Sequence, residues 1–147
     1  MEIVPLFIEP FLAAVPANHP LAAAKKIHIE DLLHAGLLLL EEGHCLRNQA
    51  LEACHLKDLD NEEIRATSLE TLRQMVGMGL GVTLIPALAG MQSHDIGTRV
   101  ALRPLASPGA SRIIGLVWRR RSPIAPTMES LAKFLKELLP PETRAVK

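Results

Sequence analysis

The chain has 147 residues, 48% of them hydrophobic, and its 16 lysines and arginines are balanced by 16 aspartates and glutamates. This length and apolar content suit one domain or two small lobes with a real core, and they exclude a disordered chain. Zero net charge argues against a free-standing nucleic-acid binder. With no apolar run long enough to span a bilayer, no visible signal peptide and only two cysteines, we expect a cytoplasmic protein without a membrane segment.

The first part of the chain predicts extended segments followed by a short helix. Residues 2–16 are apolar and contain three prolines, a pattern typical of strands bounded by proline. Residues 29–34 carry Glu30 and Asp31 near their start and are predicted to form a short helical turn. Residues 37–40 form an apolar run of strand length, and Gly43 breaks this pattern.

Two helices are predicted in the middle of the chain. Residues 44–56 contain mostly good helix formers, with apolar side chains at spacings of three and four. Residues 57–66 are predicted to be a polar loop that ends in a short strand. Thr67 and Glu70 fit a capping box at the start of a helix over residues 68–78.

The last third of the chain predicts more strands and a final amphipathic helix. Strands are predicted at 82–85, 100–105 and 113–118, with a short helix at 87–91. Residues 126–139 place apolar side chains along one helical face. Strands that alternate with helices indicate an α/β fold class with a largely parallel or mixed sheet.

Cys45 and Cys54 carry the most information about function. Cys45 is predicted at the start of a helix, where backbone amides and the helix dipole stabilise a thiolate, and His44 and Arg47 add positive potential. Nine helical residues rise by about 13–14 Å and turn Cys54 to the opposite face, whereas a disulfide needs α-carbons within roughly 7 Å. The pair therefore fits a switch in which peroxide oxidises Cys45 to a sulfenic acid, Cys54 condenses with it, and the helix unwinds.

Three other interpretations of the cysteines stay open. Two cysteines in a chain of this length are more often inert, partly buried hydrophobic residues. The pairs His44–Cys45 and Cys54–His55 supply four potential metal ligands, although zinc sites favour shorter cysteine spacings. Cys45 with His44 as its base is also compatible with a catalytic cysteine, but the sequence identifies no orienting residue and no oxyanion hole.

The residues around the cysteines resemble a known family. The segments EEGHCLRNQALEAC, IRATSLETLRQMVGMGLGVTLIPALA and RIIGLVWR resemble the LysR-type transcription regulators that sense hydrogen peroxide. The segment VPLFIEPFLAAVPANHPLA resembles LysR-type effector domains more generally. The resemblance covers almost the whole chain, and it implies a periplasmic-binding-protein-like (type 2) effector domain that is not an enzyme and needs no cofactor or metal.

The resemblance also implies roles for particular residues. Cys45 matches the peroxidatic cysteine and Cys54 the resolving cysteine of a reversible disulfide, which a thiol reductant such as glutaredoxin would reset. His44 and Arg47 match residues beside the reactive sulfur. Arg112 matches an arginine of the same pocket that helps to hold the reduced form.

The resemblance further implies a division of the chain and a set of partners. Residues 1–112 would form most of lobe II, and residues 113–147 the returning strand and helix of lobe I. The winged helix-turn-helix and the first half of lobe I, with the threonines that help to bind peroxide, would lie outside this chain. DNA would be bound only through that missing N-terminal domain, and the regulator would act as a dimer or tetramer.

A rival function belongs to a different class. Thr67 and Ser68 lie at a helix start that lines the cleft between the lobes in LysR relatives, so both are candidate effector-binding residues. In this alternative the domain binds a small organic ligand between its lobes, and the cysteines are inert.

Overall fold

The computed structural model describes residues 1–57, 65–91, 99–106 and 110–146. Its elements in chain order are β1 (Glu2–Pro16), a 3-10 helix (Pro20–Ala23), α1 (Ile29–His34), β2 (Leu39–Leu40), α2 (Cys45–Ala53), β3 (Arg65–Ala66), α3 (Leu69–Gly77), β4 (Thr83–Pro86), α4 (Ala87–Met91), β5 (Val100–Pro104), β6 (Ser111–Trp118), α5 (Ala125–Glu137) and β7 (Arg144–Ala145). Within the described ranges, we find no helix that combines the length and the apolar character needed to cross a membrane.

One long strand organises the fold. β1 pairs antiparallel with β6 through residues 2–10 and with β4 and β5 through residues 11–16. β7 pairs with it at Phe7 and Ile8. Pro5 stands at a register shift in the β6 pairing, where a residue without an amide proton can be accommodated. Pro5 therefore disturbs the ladder locally without ending the strand, Pro10 pairs in register with Ser111, and the strand ends at Pro16.

The described strands form a five-stranded sheet around β1 and a separate two-stranded sheet. Every strand that pairs with β1 is antiparallel to it, whereas β2 and β3 pair in parallel. Two isolated parallel bridges join Ile27 to Leu105 and Leu37 to Val82. The prediction of a largely parallel sheet is wrong, because the long ladders all involve β1 and run antiparallel.

Apolar side chains collect in two places along β1. From Phe11 onward the strand contributes to a large core that also contains Leu51 and other buried side chains of α2. Leu6 and Phe7 pack instead with Ala132 of α5 in a smaller cluster. Full burial of an apolar side chain of this size contributes about 1.5–3 kcal/mol. The large core therefore holds the helix on which both cysteines lie.

The predicted helices are all present. α1 and α4 have their predicted bounds, whereas α2, α3 and α5 end one to three residues earlier than predicted. A periodic sequence pattern identifies a helix more accurately than it identifies the residue at which the helix ends. The predicted loop at 57–63, apart from Lys57, and residue 64 of the following strand lie outside the described residues.

The predicted capping box at the start of α3 is wrong. Ser68, not Thr67, is the N-cap, with an extended backbone (φ −149°, ψ 160°) and a hydroxyl that accepts a hydrogen bond from the Thr71 amide at 3.1 Å. The Glu70 carboxylate accepts a hydrogen bond from the Gln74 side chain instead. Two hydroxyl residues stand side by side at this position, and the backbone geometry decides which of them caps the helix.

Candidate functional site

A tight turn after β2 presents Cys45 to solvent. Gly43 has a φ of 89°, a left-handed conformation that glycine adopts without the penalty of a Cβ atom. His44 follows with an extended backbone as the N-cap of α2, and its side chain makes no capping hydrogen bond. Cys45 is then the first residue of the helix, and its thiol is free and exposed. The structure therefore confirms the predicted helix-start position, where the backbone amides lack partners within the helix.

The start of α3 lies at the same edge of the fold as the start of α2. β2 and β3 are parallel, with Leu40 opposite Ala66, so their carboxyl ends point to one edge. α2 follows the first strand and α3 follows the second, and such edges commonly form ligand sites in α/β proteins. Thr67 and Ser68 are both exposed there. The Ser68 hydroxyl is already engaged by the amide and the hydroxyl of Thr71.

Arg47 anchors α2 to the strand before it. Its side chain is almost fully buried, and its Nη1 donates a hydrogen bond to the Leu40 carbonyl oxygen at 3.2 Å. A buried guanidinium is stable only when its donors are satisfied. Arg47 therefore ties the first turn of the cysteine helix to the end of β2, whereas His44 next to Cys45 is exposed.

Arg112 reaches the same helix from β6. Its Nε donates to Glu9 Oε2 at 2.7 Å, and its Nη1 donates to Gln49 Oε1 at 3.2 Å. Gln49 lies four residues after Cys45, which places both on one face of α2. The structure therefore brings Arg112 to the face of the helix that carries the exposed cysteine.

Glu9 and Gln49 are site residues that the sequence reasoning missed. Glu9 is completely buried, and its second oxygen, Oε1, accepts a hydrogen bond from the Leu88 amide at 2.9 Å. The sequence does contain a signal for it: Glu9 is the one acidic residue in the interior of the apolar run that predicts β1, whereas Glu2 stands at its first position. A charge inside a buried strand requires a partner, and that partner is Arg112.

Cys54 ends α2 on the opposite side, inside the large core. It is 5% exposed and belongs to that core. Burial raises the pKa of the Cys54 thiol from 9.0 to about 11, because desolvation penalises the thiolate. At neutral pH Cys54 is therefore a protonated thiol, and its sulfur is shielded from reagents in solvent.

His55, the residue after Cys54, follows the end of α2 in a left-handed backbone conformation. His55 has a φ of 56°, in the left-handed region that glycine normally occupies at helix ends. The His55 amide donates to the Glu52 carbonyl oxygen at 3.0 Å, and the Leu56 amide donates to the Leu51 carbonyl oxygen at 2.9 Å. These two bonds form a Schellman motif, and a histidine in its left-handed position costs about 1 kcal/mol or more relative to glycine.

The two cysteines stand at opposite ends of one helix. Their separation of nine residues corresponds to about 13–14 Å along the axis, so a disulfide requires α2 to unwind. The same separation keeps His44 and Cys45 apart from Cys54 and His55, which removes the geometry that the metal interpretation needs. Across the described ranges, no three His, Cys, Asp or Glu side chains come together in a way that could hold an ion.

Comparisons with known proteins identify relatives of this arrangement. Residues 1–140 match the LysR substrate binding domain family. The chain is 45% identical over 134 residues to the DNA-binding transcriptional dual regulator OxyR of Escherichia coli K12, and 44% identical over 135 residues to the hydrogen peroxide-inducible genes activator of Dickeya chrysanthemi. These matches cover 90% and 91% of this chain but 44% of each relative, so the chain spans less than half of their length.

Solved structures of OxyR share the fold. The chain matches the reduced form of OxyR with a TM-score of 0.75 at 42% identity, and the oxidized form with 0.71 at 44% identity. It matches the reduced OxyR regulatory domain of Pseudomonas aeruginosa with 0.78 at 38% identity. Each match covers 92% of this chain and 63%, 64% and 66% of the respective structures. The expected α/β, periplasmic-binding-protein-like fold is confirmed.

Proposed function

We propose that this chain, which belongs to the LysR substrate-binding domain family, is the hydrogen-peroxide-sensing part of a transcription regulator and works through a reversible Cys45–Cys54 disulfide. One observation carries the proposal: the only two cysteines of the sequence begin and end the same helix, one exposed and one buried. The relatives named as peroxide-inducible activators and OxyR support the same function.

The first step is oxidation of the exposed cysteine. The Cys45 thiolate attacks one oxygen of hydrogen peroxide, the O–O bond breaks, and the leaving hydroxide takes up a proton to become water. The product is a sulfenic acid at Cys45. Exposure at the end of α2 gives peroxide access to this sulfur, whereas the buried Cys54 thiol is neither accessible nor ionised at neutral pH.

The second step closes the disulfide. Cys54 leaves the core, its sulfur attacks the Cys45 sulfenic sulfur, and the thiol proton leaves with the hydroxyl group as a second water. Two thiols are thereby oxidised and one peroxide is reduced to two waters. Because the bonded α-carbons must come within about 7 Å, α2 cannot persist, and the surface that it forms is rebuilt.

The supporting residues hold the reduced state in this proposal. Arg47 ties the first turn of α2 to Leu40, and Arg112 holds Gln49 on the next turn. Both contacts depend on an intact helix, so both favour the reduced form. His44 precedes the reactive cysteine and is exposed beside it.

The longer protein would convert this local change into regulation. We propose that it binds DNA through an N-terminal domain outside this chain, that oxidation alters its packing as a dimer or tetramer, and that a thiol reductant such as glutaredoxin resets it in the cytoplasm. It would sense peroxide without catalytic turnover. The proposed division assigns residues 1–112 mostly to lobe II and residues 113–147 to the returning part of lobe I. The large core lies within the first part, whereas the smaller cluster joins Ala132 of the second part to Leu6 and Phe7 at the beginning of the chain.

Trapping the sulfenic acid tests the proposal. A Cys54→Ser chain treated with one equivalent of peroxide should bind a dimedone-type probe at Cys45, because no resolving thiol removes the intermediate. The matched Cys45→Ser chain, with only the buried Cys54, should remain unlabelled. Equal labelling of the two folded variants, or labelling of neither, would contradict the proposal, and the alternative of a ligand-binding domain with inert cysteines would then be preferred.

A further inference from the structure

We infer that Glu9 is a positioning residue of the redox switch, which fixes Arg112 so that this arginine holds Gln49 and thereby α2 in the reduced form. The inference rests on the proposed function and extends it to a residue far from both cysteines in the sequence. Glu9 touches neither sulfur, so its action passes through Arg112.

The carboxylate of Glu9 is held at both oxygens. Oε2 accepts the 2.7 Å hydrogen bond from Arg112 Nε on β6, and Oε1 accepts the 2.9 Å hydrogen bond from the Leu88 amide on α4. The side chain is 0% exposed, so neither oxygen can exchange its partner for bulk water. Rotation of the carboxylate would leave a buried charge without a partner, which is strongly unfavourable.

This fixed carboxylate sets the direction of the Arg112 side chain. A guanidinium is planar, so once Nε is bound the positions of Nη1 and Nη2 are restricted. Nη1 then points to Gln49 Oε1 at 3.2 Å. The Arg112 side chain is 28% exposed. Without Glu9 it would therefore have solvent available as an alternative environment.

The contact at Gln49 distinguishes the two redox states. Gln49 lies between Cys45 and Cys54, within the segment that must unwind before the disulfide can close. A contact present in only one of two states shifts the equilibrium toward that state. Glu9, Arg112 and Gln49 together should therefore favour the dithiol over the disulfide.

The chain offers a matched control on the same strand. Glu2 of β1 also forms an ion pair with an arginine, at 3.2 Å between Glu2 Oε2 and Arg120 Nε. Both of these side chains are exposed, at 42% and 79%. Pairs of this kind contribute little to stability, and Glu2 pairs at the end of β1 opposite Trp118, away from α2. Glu2→Gln thus removes the same charge without touching the proposed link.

The test is a redox titration of the full chain in glutathione buffers. Oxidised glutathione converts the dithiol to the Cys45–Cys54 disulfide and is reduced to two molecules of glutathione. Glu9→Gln keeps the shape of the side chain but cannot accept hydrogen bonds at both former oxygens. We expect it to shift the equilibrium toward the disulfide by about tenfold or more, as loss of one charge-assisted hydrogen bond would do. Glu2→Gln should titrate like the parent chain.

A double-mutant cycle separates positioning from a general structural effect. Gln49→Ala should shift the equilibrium in the same direction, and adding Glu9→Gln to it should shift the equilibrium no further, since the link is already broken. If Glu9→Gln does not fold, Glu9→Asp, which keeps the charge and withdraws it from Arg112, takes its place in the cycle.

Two results would overturn the inference: identical titrations for Glu9→Gln and Glu2→Gln, or additive shifts in the cycle. Failure of the parent chain to form the disulfide in any buffer is a different outcome. It would overturn the proposed function, and this inference with it.

Discussion

Cys45 is the first residue of α2 and Cys54 is the residue that caps its other end, so the helix itself keeps the two sulfurs apart. One thiol is exposed and the other is buried in the large core. A disulfide between them is incompatible with the helix, and formation of that bond must change the structure around it.

The first prediction concerns the reactivity of the two thiols. In the reduced chain Cys45 should react with iodoacetamide at least about tenfold faster than Cys54 at neutral pH, since alkylation needs an accessible thiolate. Peptide mass spectrometry after timed quenching gives both rates. Denaturant should bring the two rates together, and equal rates in the folded chain would show that Cys54 is not buried as described.

The second prediction follows from the raised pKa of Cys54. Between about pH 9 and about pH 11 the thiol ionises in the unfolded chain but stays protonated in the folded chain, so the unfolded state binds fewer protons and stability falls as the pH rises. Cys54 should contribute up to about 1.4 kcal/mol per pH unit to this slope. Below about pH 9 its contribution to the slope should vanish.

Urea unfolding at several pH values checks this slope against Cys54→Ala, which removes the titrating group. The substitution lowers stability through lost burial at neutral pH, but the difference in stability between the two chains should narrow as the pH rises above about 9. If the stabilities of the parent chain and Cys54→Ala change in parallel above about pH 9, the raised pKa of Cys54 is contradicted.

Local sequence features predict much of α2, the helix that carries the cysteines, but little of the contacts that hold it in place. Gly43 followed by helix formers placed Cys45 at a helix start, and the structure agrees. The contact between Glu9 and Arg112 joins residues 103 positions apart and has no local signature. Only the polarity of Glu9 within an apolar strand indicated that it needed a partner.

The errors in the predicted fold have physical causes as well. The sequence pattern predicts a strand boundary at proline, but a register shift accommodates Pro5 within β1. Thr67 and Ser68 have equivalent capping chemistry, and only the backbone angles of the folded chain select Ser68. Such choices depend on neighbours that are distant in sequence, so they lie beyond what periodicity and composition can report.

The third prediction uses the left-handed residue at the end of α2. His55→Gly should relieve the backbone cost at this position and stabilise the helix by about 1 kcal/mol. The disulfide, which requires the helix to unwind, should then be about fivefold less favourable in glutathione buffer.

Glu142 provides the matched control for this prediction. Among the described residues, His55 and Glu142 are the two that have a positive φ without being glycine. Glu142 has a φ of 67° and is exposed near the end of the chain. Glu142→Gly should leave the redox equilibrium unchanged. An equal shift for both variants would mean that His55 has no particular link to the switch.

The fourth prediction tests the capping of α3. Ser68→Ala removes the hydroxyl that accepts from the Thr71 amide and should lower the free energy of unfolding by about 1 kcal/mol. Thr67→Ala, one residue earlier, should change it by less than half as much. Denaturant unfolding of both variants measures the difference, and a larger loss for Thr67→Ala would restore the capping box predicted from the sequence.

The switch between Cys45 and Cys54 is tested most directly by intact-mass and peptide mass spectrometry of the reduced chain after a stoichiometric pulse of hydrogen peroxide. The chain should lose two hydrogens and give a peptide pair crosslinked through Cys45 and Cys54. If a chain shown to be folded by a cooperative melt keeps both free thiols, or accumulates higher oxides at Cys45 without the crosslink, the switch between these two cysteines is contradicted.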